Sequence, residues 1–84
     1  MTEVFDIKSI FSFYGENAWG SSPKWVKCWG LQKTAANSIY ICKMNDRDGY
    51  WVDITSFYTI DKHNIHKAKC FDNLEDAMWY VYFA

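Results

Sequence analysis

The chain has 84 residues, of which 50% are hydrophobic and 20% are aromatic, and its formal net charge is −1. This length leaves too little chain for a second core, so residues 1–84 are predicted to form a single domain. The charges of the chain are balanced and Arg47 is its single arginine, so the chain lacks the basic excess that is typical of nucleic-acid-binding proteins. The acidic start and the lack of a long apolar run argue against a signal peptide and a membrane span, which predicts a cytoplasmic protein with no membrane partner.

Three cysteines, Cys28, Cys42 and Cys70, cannot all pair with one another within one chain. Their spacing is not that of a zinc ribbon or of a thioredoxin-like redox motif. We therefore expect a reducing compartment and thiols that pack as small buried apolar side chains on strands.

The first segment, residues 5–14, carries two competing periodicities. Apolar residues of one parity favour a strand, and these are Phe5, Ile7, Phe11 and Phe13. A recurrence at helical spacing favours a helix instead, through Val4, Ile7, Ile10 or Phe11, and Tyr14. We prefer the strand and keep the helix as the alternative. Glycine, serine and proline then predict a surface loop over residues 15–23.

A second strand is predicted from Lys24 to Trp29, ended by Gly30, with a turn over residues 32–37. The clearest element is a hairpin of Ile39–Met44 and Tyr50–Thr55.

Two registers compete for this hairpin. A two-residue turn at Asp48 and Gly49 would place Met44 opposite Asp53, an apolar side chain against a charged one. If residues 45–49 all form the loop, three apolar pairs share one face, namely Met44 with Tyr50, Cys42 with Val52, and Tyr40 with Ile54. We predict this second register, which leaves an amphipathic outer face bearing Ile39, Ile41, Lys43, Trp51, Asp53 and Thr55.

In the last third of the chain, the sequence pattern predicts a strand over Ile65–Phe71 and then a helix that begins in the acidic run Asp72–Glu75. The helix has an inward stripe of Leu74, Ala77, Met78 and Val81, and four aromatic residues leave it almost no polar side. The fold class is therefore predicted to be α+β, a small antiparallel sheet of four or five strands with one C-terminal helix packed on one face.

No recognisable motif for catalysis or cofactor binding is present. Gly15 and Gly20 have the spacing of a phosphate-binding loop, but Ser21 stands where the lysine belongs. The hairpin loop imitates part of a calcium loop without its first and last ligands. The potential zinc ligands Asp61, His63, His66 and Cys70 are poorly spaced, since the histidines of an extended segment would point to opposite faces. We expect a protein that is not an enzyme and that has no metal or cofactor.

The leading hypothesis is a protein-binding module, because more aromatic surface is encoded than so short a chain can bury. The predicted partner-binding residues are Trp51, Ile39 and Ile41 on the outer sheet face, Trp25 and Trp29 beside them, and Trp79, Tyr82 and Phe83 on the helix. Self-association through this surface is a close variant. In size and charge the chain resembles many small phage or mobile-element proteins that inhibit host enzymes by occlusion, although no motif carries that resemblance.

The alternative hypothesis is single-stranded nucleic-acid binding on an aromatic, lysine-bearing sheet face. Trp25, Trp29 and Trp51 would stack on bases, and phosphate contacts would come from Lys62, His66, Lys67 and Lys69.

Overall fold

The computed structural model describes residues 5–15, 25–45, 47–61 and 64–84. Within these ranges five antiparallel strands form one sheet and a C-terminal helix packs against it, which confirms the predicted α+β class. The elements in chain order are a first 3-10 helix (Ile7–Ile10), β1 (Ser12–Phe13), β2 (Trp25–Gln32), β3 (Ser38–Met44), β4 (Tyr50–Val52), a second 3-10 helix (Ile65–Lys67), β5 (Lys69–Phe71) and α1 (Leu74–Phe83).

The sheet is a meander in which each strand pairs with the next one along the chain, in the order β1-β2-β3-β4-β5. β2 continues through Gly30, so the prediction that this glycine ends the strand is wrong. A Cβ atom at Gly30 would lie 3.0 Å from ring atoms of both Tyr14 and Tyr40. Gly30 therefore lets both rings pack closely on the strand backbone, and any side chain at this position would have to displace them.

The N-terminal segment combines the two predicted periodicities. Ile7–Ile10 forms a 3-10 helix, opened by the Asp6 carboxylate, which accepts a hydrogen bond from the Lys8 amide at 3.1 Å. Only Ser12–Phe13 pairs as a strand, so the preference for a strand over the whole segment is wrong. The predicted loop that follows lies outside the described residues from residue 16 onward.

The β3–β4 hairpin is shifted by one residue from the predicted register. Cys42 lies opposite Trp51, and Ile41 lies opposite Val52. The prediction is therefore wrong, because a shift of one residue exchanges the faces of a strand. Ile39 and Ile41 consequently face α1, and Trp51 faces the other side.

β4 ends at Val52 because the buried carboxylate of Asp53 turns the chain. Its Oδ1 accepts hydrogen bonds from the Thr55 amide at 2.9 Å and from the Thr55 hydroxyl at 2.5 Å. This side-chain turn directs the chain over the sheet.

α1 covers one face of the sheet with the predicted inward stripe. Ala77, Met78 and Val81 are buried against Ile41 and Val52. The helix begins at Asn73, whose side-chain oxygen accepts a hydrogen bond from the Asp76 amide at 2.9 Å, as expected for an N-cap. The predicted helical start and core stripe are thus confirmed.

The β4–β5 connection covers the opposite face of the sheet. Ile60 is fully buried in a cluster with Cys28, Cys42 and Met44, and its amide donates to the Cys42 sulfur at 3.3 Å. The segment from Ile65 forms a 3-10 helix before β5 begins, so the predicted strand over Ile65–Phe71 is only partly present. Each face of the sheet is therefore partly covered, and the exposed aromatic rings lie mainly at its margins and on α1.

Candidate functional site

The outer flank of α1 carries four aromatic side chains in mutual contact, which we call the helix aromatic cluster: Phe5, Trp79, Tyr82 and Phe83. Within the helix, Trp79 stacks on Phe83 at 5.7 Å and meets Tyr82 edge-on at 5.6 Å. These contacts follow from the sequence spacing, since residues three and four positions apart are neighbours on a helix surface.

Phe5 completes the helix aromatic cluster from outside α1. Its ring lies 5.8 Å from that of Trp79 and 6.0 Å from that of Tyr82. It reaches the helix because the first 3-10 helix, which begins two residues later, packs against α1.

The cluster is largely open to solvent. The exposed fractions are 52% for Phe5, 41% for Tyr82 and 76% for Phe83, while Trp79 is half-buried against the core. Contiguous aromatic rings that remain exposed are typical of interaction surfaces, whereas isolated exposed apolar residues are common on any protein.

Acidic side chains border this surface. Glu75 lies one turn before Trp79, and Asp76 lies two turns before Phe83. Asp76 also lines an open groove of about 520 Å³ together with Phe71, Trp79, Tyr80, Phe83 and Ala84. No basic residue occurs within α1, so the flank combines aromatic rings with negative charge.

The groove ends at a cation. Phe71 and Tyr80 pack at 5.0 Å, and the Lys69 ammonium lies 5.6 Å from the first ring and 5.3 Å from the second. The Lys69 ammonium therefore makes cation–π contacts with both rings on the α1 side of the sheet.

The structure brings together only part of the predicted partner-binding set. Trp79, Tyr82 and Phe83 form one surface. Ile39 and Ile41 are buried under α1, so their predicted position on an exposed outer face is wrong. The cause is the one-residue shift of the hairpin register.

The predicted tryptophans do not share a face. Trp29 lies on the α1 side of the sheet, and Trp51 lies on the opposite side. The Trp51 indole donates to the Asp48 carbonyl at 3.0 Å, and the Arg47 guanidinium lies 5.5 Å from its ring. Trp51 thus organises the hairpin loop. The Trp25 side chain lies outside the described part of the chain.

The residues of the nucleic-acid alternative are also divided. His66 and Lys67 are exposed on the second 3-10 helix, whose flanking residues Ile65 and Ala68 pack on the face opposite α1. Lys69 lies on the α1 side. Lys62 falls outside the described residues.

The cysteines differ in environment. The Sγ atoms of Cys28 and Cys42, on paired strands, are 3.6 Å apart and fully buried. The hydrogen bond to Cys42, and then burial, raise the pKa of the Cys28 thiol far above its ordinary value. Cys70 is exposed on β5, so the prediction of burial holds for the first two thiols and is wrong for the third.

Among the described residues, no three His, Cys, Asp or Glu side chains come together as metal ligands do, and His63 lies outside them. No helix in those ranges has the length and apolar character needed to cross a membrane.

Comparisons of the chain with protein-family models, with curated proteins and with solved structures find no match. The chemistry of the helix aromatic cluster is therefore the basis for interpreting function.

Proposed function

We propose that this protein is a non-enzymatic docking module that binds a partner protein through the helix aromatic cluster and occludes the bound surface. The observation that supports this function is the contiguity of Phe5, Trp79, Tyr82 and Phe83 on one flank of α1. Aromatic anchors carry much of the binding energy of protein interfaces, because they contribute large contact areas with few rotatable bonds.

The acidic border specifies the chemistry of the partner. Glu75 and Asp76 place negative charge beside the rings. Two cations lie near the same helix, but both are already engaged: the Lys33 ammonium donates to the Val81 and Tyr82 carbonyls, and the Lys69 ammonium lies over the Phe71 and Tyr80 rings. Complementary charge guides partners together and disfavours partners of like charge. The bound segment is therefore an apolar one that also carries lysine or arginine.

A self-associated form is less compatible with these charges. A second copy that docked its own helix aromatic cluster would bring another Glu75 and Asp76 toward the same surface. Like charges brought together at an interface are unfavourable. The surface favours a basic partner over a second copy.

A peptide-display selection on the immobilised protein tests this function. We expect the selected peptides to combine aromatic or aliphatic residues with lysine or arginine. Binding of a selected peptide should weaken by about 2 kcal/mol per anchor in the Phe83→Ala and Phe5→Ala variants. The control is Tyr58→Ala, which removes an exposed ring from the β4–β5 connection and should leave binding unchanged.

A charge-reversal pair tests the acidic border. Glu75→Lys should weaken binding of the same peptide. Asp48→Lys makes an equal change in charge in the exposed hairpin loop and should leave binding unchanged. Sedimentation at several concentrations measures self-association. Peptides without basic residues, equal losses in the control variants, or a dimer that Phe83→Ala dissociates would each contradict the proposed partner.

A further inference from the structure

A second aromatic surface lies on the α1 side of the sheet, beyond the helix. α1 contacts β3, β4, β5 and the first 3-10 helix. At the other end of the sheet, Phe13 of β1 lies 5.5 Å from Trp29 of β2, which in turn lies 5.8 Å from Tyr50 of β4. Phe13 is 58% exposed, and the other two rings are half-buried.

Two lysines border these rings. Lys27 and Lys43 lie opposite each other on β2 and β3. Since side chains alternate along a strand, Lys27 shares the face of Trp29, and Lys43 shares the face of Ile41. Lys27 is exposed, and the Lys43 ammonium donates to the Arg47 carbonyl at 3.4 Å. We call the set the basic aromatic strip: Phe13, Lys27, Trp29, Lys43 and Tyr50.

The paired lysines favour an anionic ligand. Like charges directly opposite each other on neighbouring strands are destabilising, and an anion held between them relieves that repulsion. The ring faces beside them favour a flat, unsaturated group. A ligand that fits both features carries a planar ring next to a negative charge.

We infer that the basic aromatic strip binds single-stranded nucleic acid, with a base stacked on Phe13 and Trp29 and the adjoining phosphate held by Lys27 and Lys43. Stacking on aromatic rings tolerates any base, and lysine contacts a phosphate as a point charge. Binding is therefore tolerant of sequence. DNA and RNA single strands share this chemistry.

The strip and the helix aromatic cluster are separate surfaces with different charged neighbours. Lys27 and Lys43 border the strip, whereas Glu75 and Asp76 border the helix aromatic cluster. The two proposals therefore concern separate ligands and are tested independently.

The test measures the fluorescence anisotropy of labelled oligothymidylate and oligouridylate at low ionic strength, titrated with the intact protein. We expect binding that weakens with added salt, because each neutralised phosphate releases a counterion. A preference for one oligonucleotide assigns DNA or RNA as the ligand, and a matching duplex should bind more weakly than either.

Matched variants locate the site. Lys27→Glu should weaken binding about tenfold and lower its salt dependence, whereas Lys67→Glu makes the same change in charge on the opposite side and should have little effect. Phe13→Ala should weaken binding about tenfold, with Tyr58→Ala as its control. All four positions are exposed, so the variants should fold, and circular dichroism checks this.

Three results would overturn the inference: no binding of either oligonucleotide, equal weakening by Lys67→Glu and Lys27→Glu, or binding that Phe13→Ala leaves unchanged. Phe83→Ala should bind both oligonucleotides normally. A loss in that variant would place the nucleic acid on the helix aromatic cluster instead.

Discussion

The ammonium group of Lys33 donates a hydrogen bond to the carbonyl oxygen of Val81 at 3.2 Å, across 48 positions of sequence. The same ammonium donates to the Tyr82 carbonyl at 3.2 Å. The last turn of α1 has no basic residue of its own, and unpaired carbonyls at a helix C-terminus carry partial negative charge. The turn between β2 and β3 therefore caps the helix at the end that bears the helix aromatic cluster.

Removal of this cap should destabilise the protein. We expect Lys33→Met to lower the free energy of unfolding by about 1 kcal/mol, because two carbonyls lose a charged donor at a partly exposed site. Urea denaturation measures the change. Lys67→Met removes an exposed lysine of the second 3-10 helix and should change stability by less than half as much; equal effects would contradict the capping role.

The Cys28 thiol should make stability depend on alkaline pH. Its pKa in the folded protein is raised, so the native thiol stays protonated while the unfolded thiol ionises near its ordinary pKa of 9.0. Above that pH the unfolded state binds fewer protons, and the free energy of unfolding should fall by up to about 1.4 kcal/mol per pH unit. Below it, this contribution is constant.

Denaturation at several pH values measures that slope. Cys28→Ala lacks the thiol and should flatten it, whatever the variant's absolute stability. Cys70→Ala removes the exposed thiol and should keep it. A slope that survives in Cys28→Ala would assign the dependence to other groups, among them Tyr40, whose pKa burial also raises.

Thiol alkylation should distinguish the three cysteines in the folded protein. Cys70 is exposed, whereas Cys28 and Cys42 are fully buried and Cys28 is held as a protonated thiol. Only a thiolate reacts at an appreciable rate. Mass spectrometry after iodoacetamide treatment should show one adduct on Cys70 under native conditions and adducts on all three cysteines in urea. Rapid native labelling of Cys28 or Cys42 would be inconsistent with this packing.

Gly49 is expected to tolerate no side chain. Its φ is +96°, and a Cβ atom would collide with the Cys70 sulfur and lie 3.2 Å from the Phe71 carbonyl oxygen. We expect Gly49→Ala to cost about 2 kcal/mol or more in urea denaturation. Gly15→Ala is the matched control, because its φ is +71° but its Cβ would only touch Phe13 at 3.8 Å.

A double-mutant cycle measures how much of the cost of Gly49→Ala comes from the collision with the Cys70 sulfur. Cys70→Ala removes the sulfur and should recover part of the loss caused by Gly49→Ala, so that the double variant is more stable than the sum of the single effects predicts. Strict additivity would show that the collision with the Cys70 sulfur does not contribute to the cost.

The β3–β4 hairpin shows why the sequence pattern could not determine the strand register. Alternation fixes a register where one face is buried and the other is solvated. In β3 both parities are apolar, because Ile39 and Ile41 pack under α1 while Cys42 and Met44 pack under the β4–β5 connection. A slip of one residue therefore leaves the pattern almost equally satisfied.

The aromatic flank of α1 could be predicted from the sequence, but the contribution of Phe5 to the same surface could not. The run from Trp79 to Phe83 leaves the second half of α1 without a charged side chain, which is visible in the sequence. Phe5 joins that surface only through the packing of the first 3-10 helix, a tertiary contact with no local signal. Ile60 was missed for a similar reason, because it is an isolated apolar residue in an irregular segment.

The position of α1 after all five strands also bears on synthesis of the protein. The ribosome delivers the whole meander before the helix that shields it, so Ile41 and Val52 emerge with no cover on one side. Exposed apolar surface of this kind attracts chaperones and other nascent chains. A chain truncated after Asn73 would keep the five strands without α1, so we expect its uncovered apolar side to make it prone to aggregate.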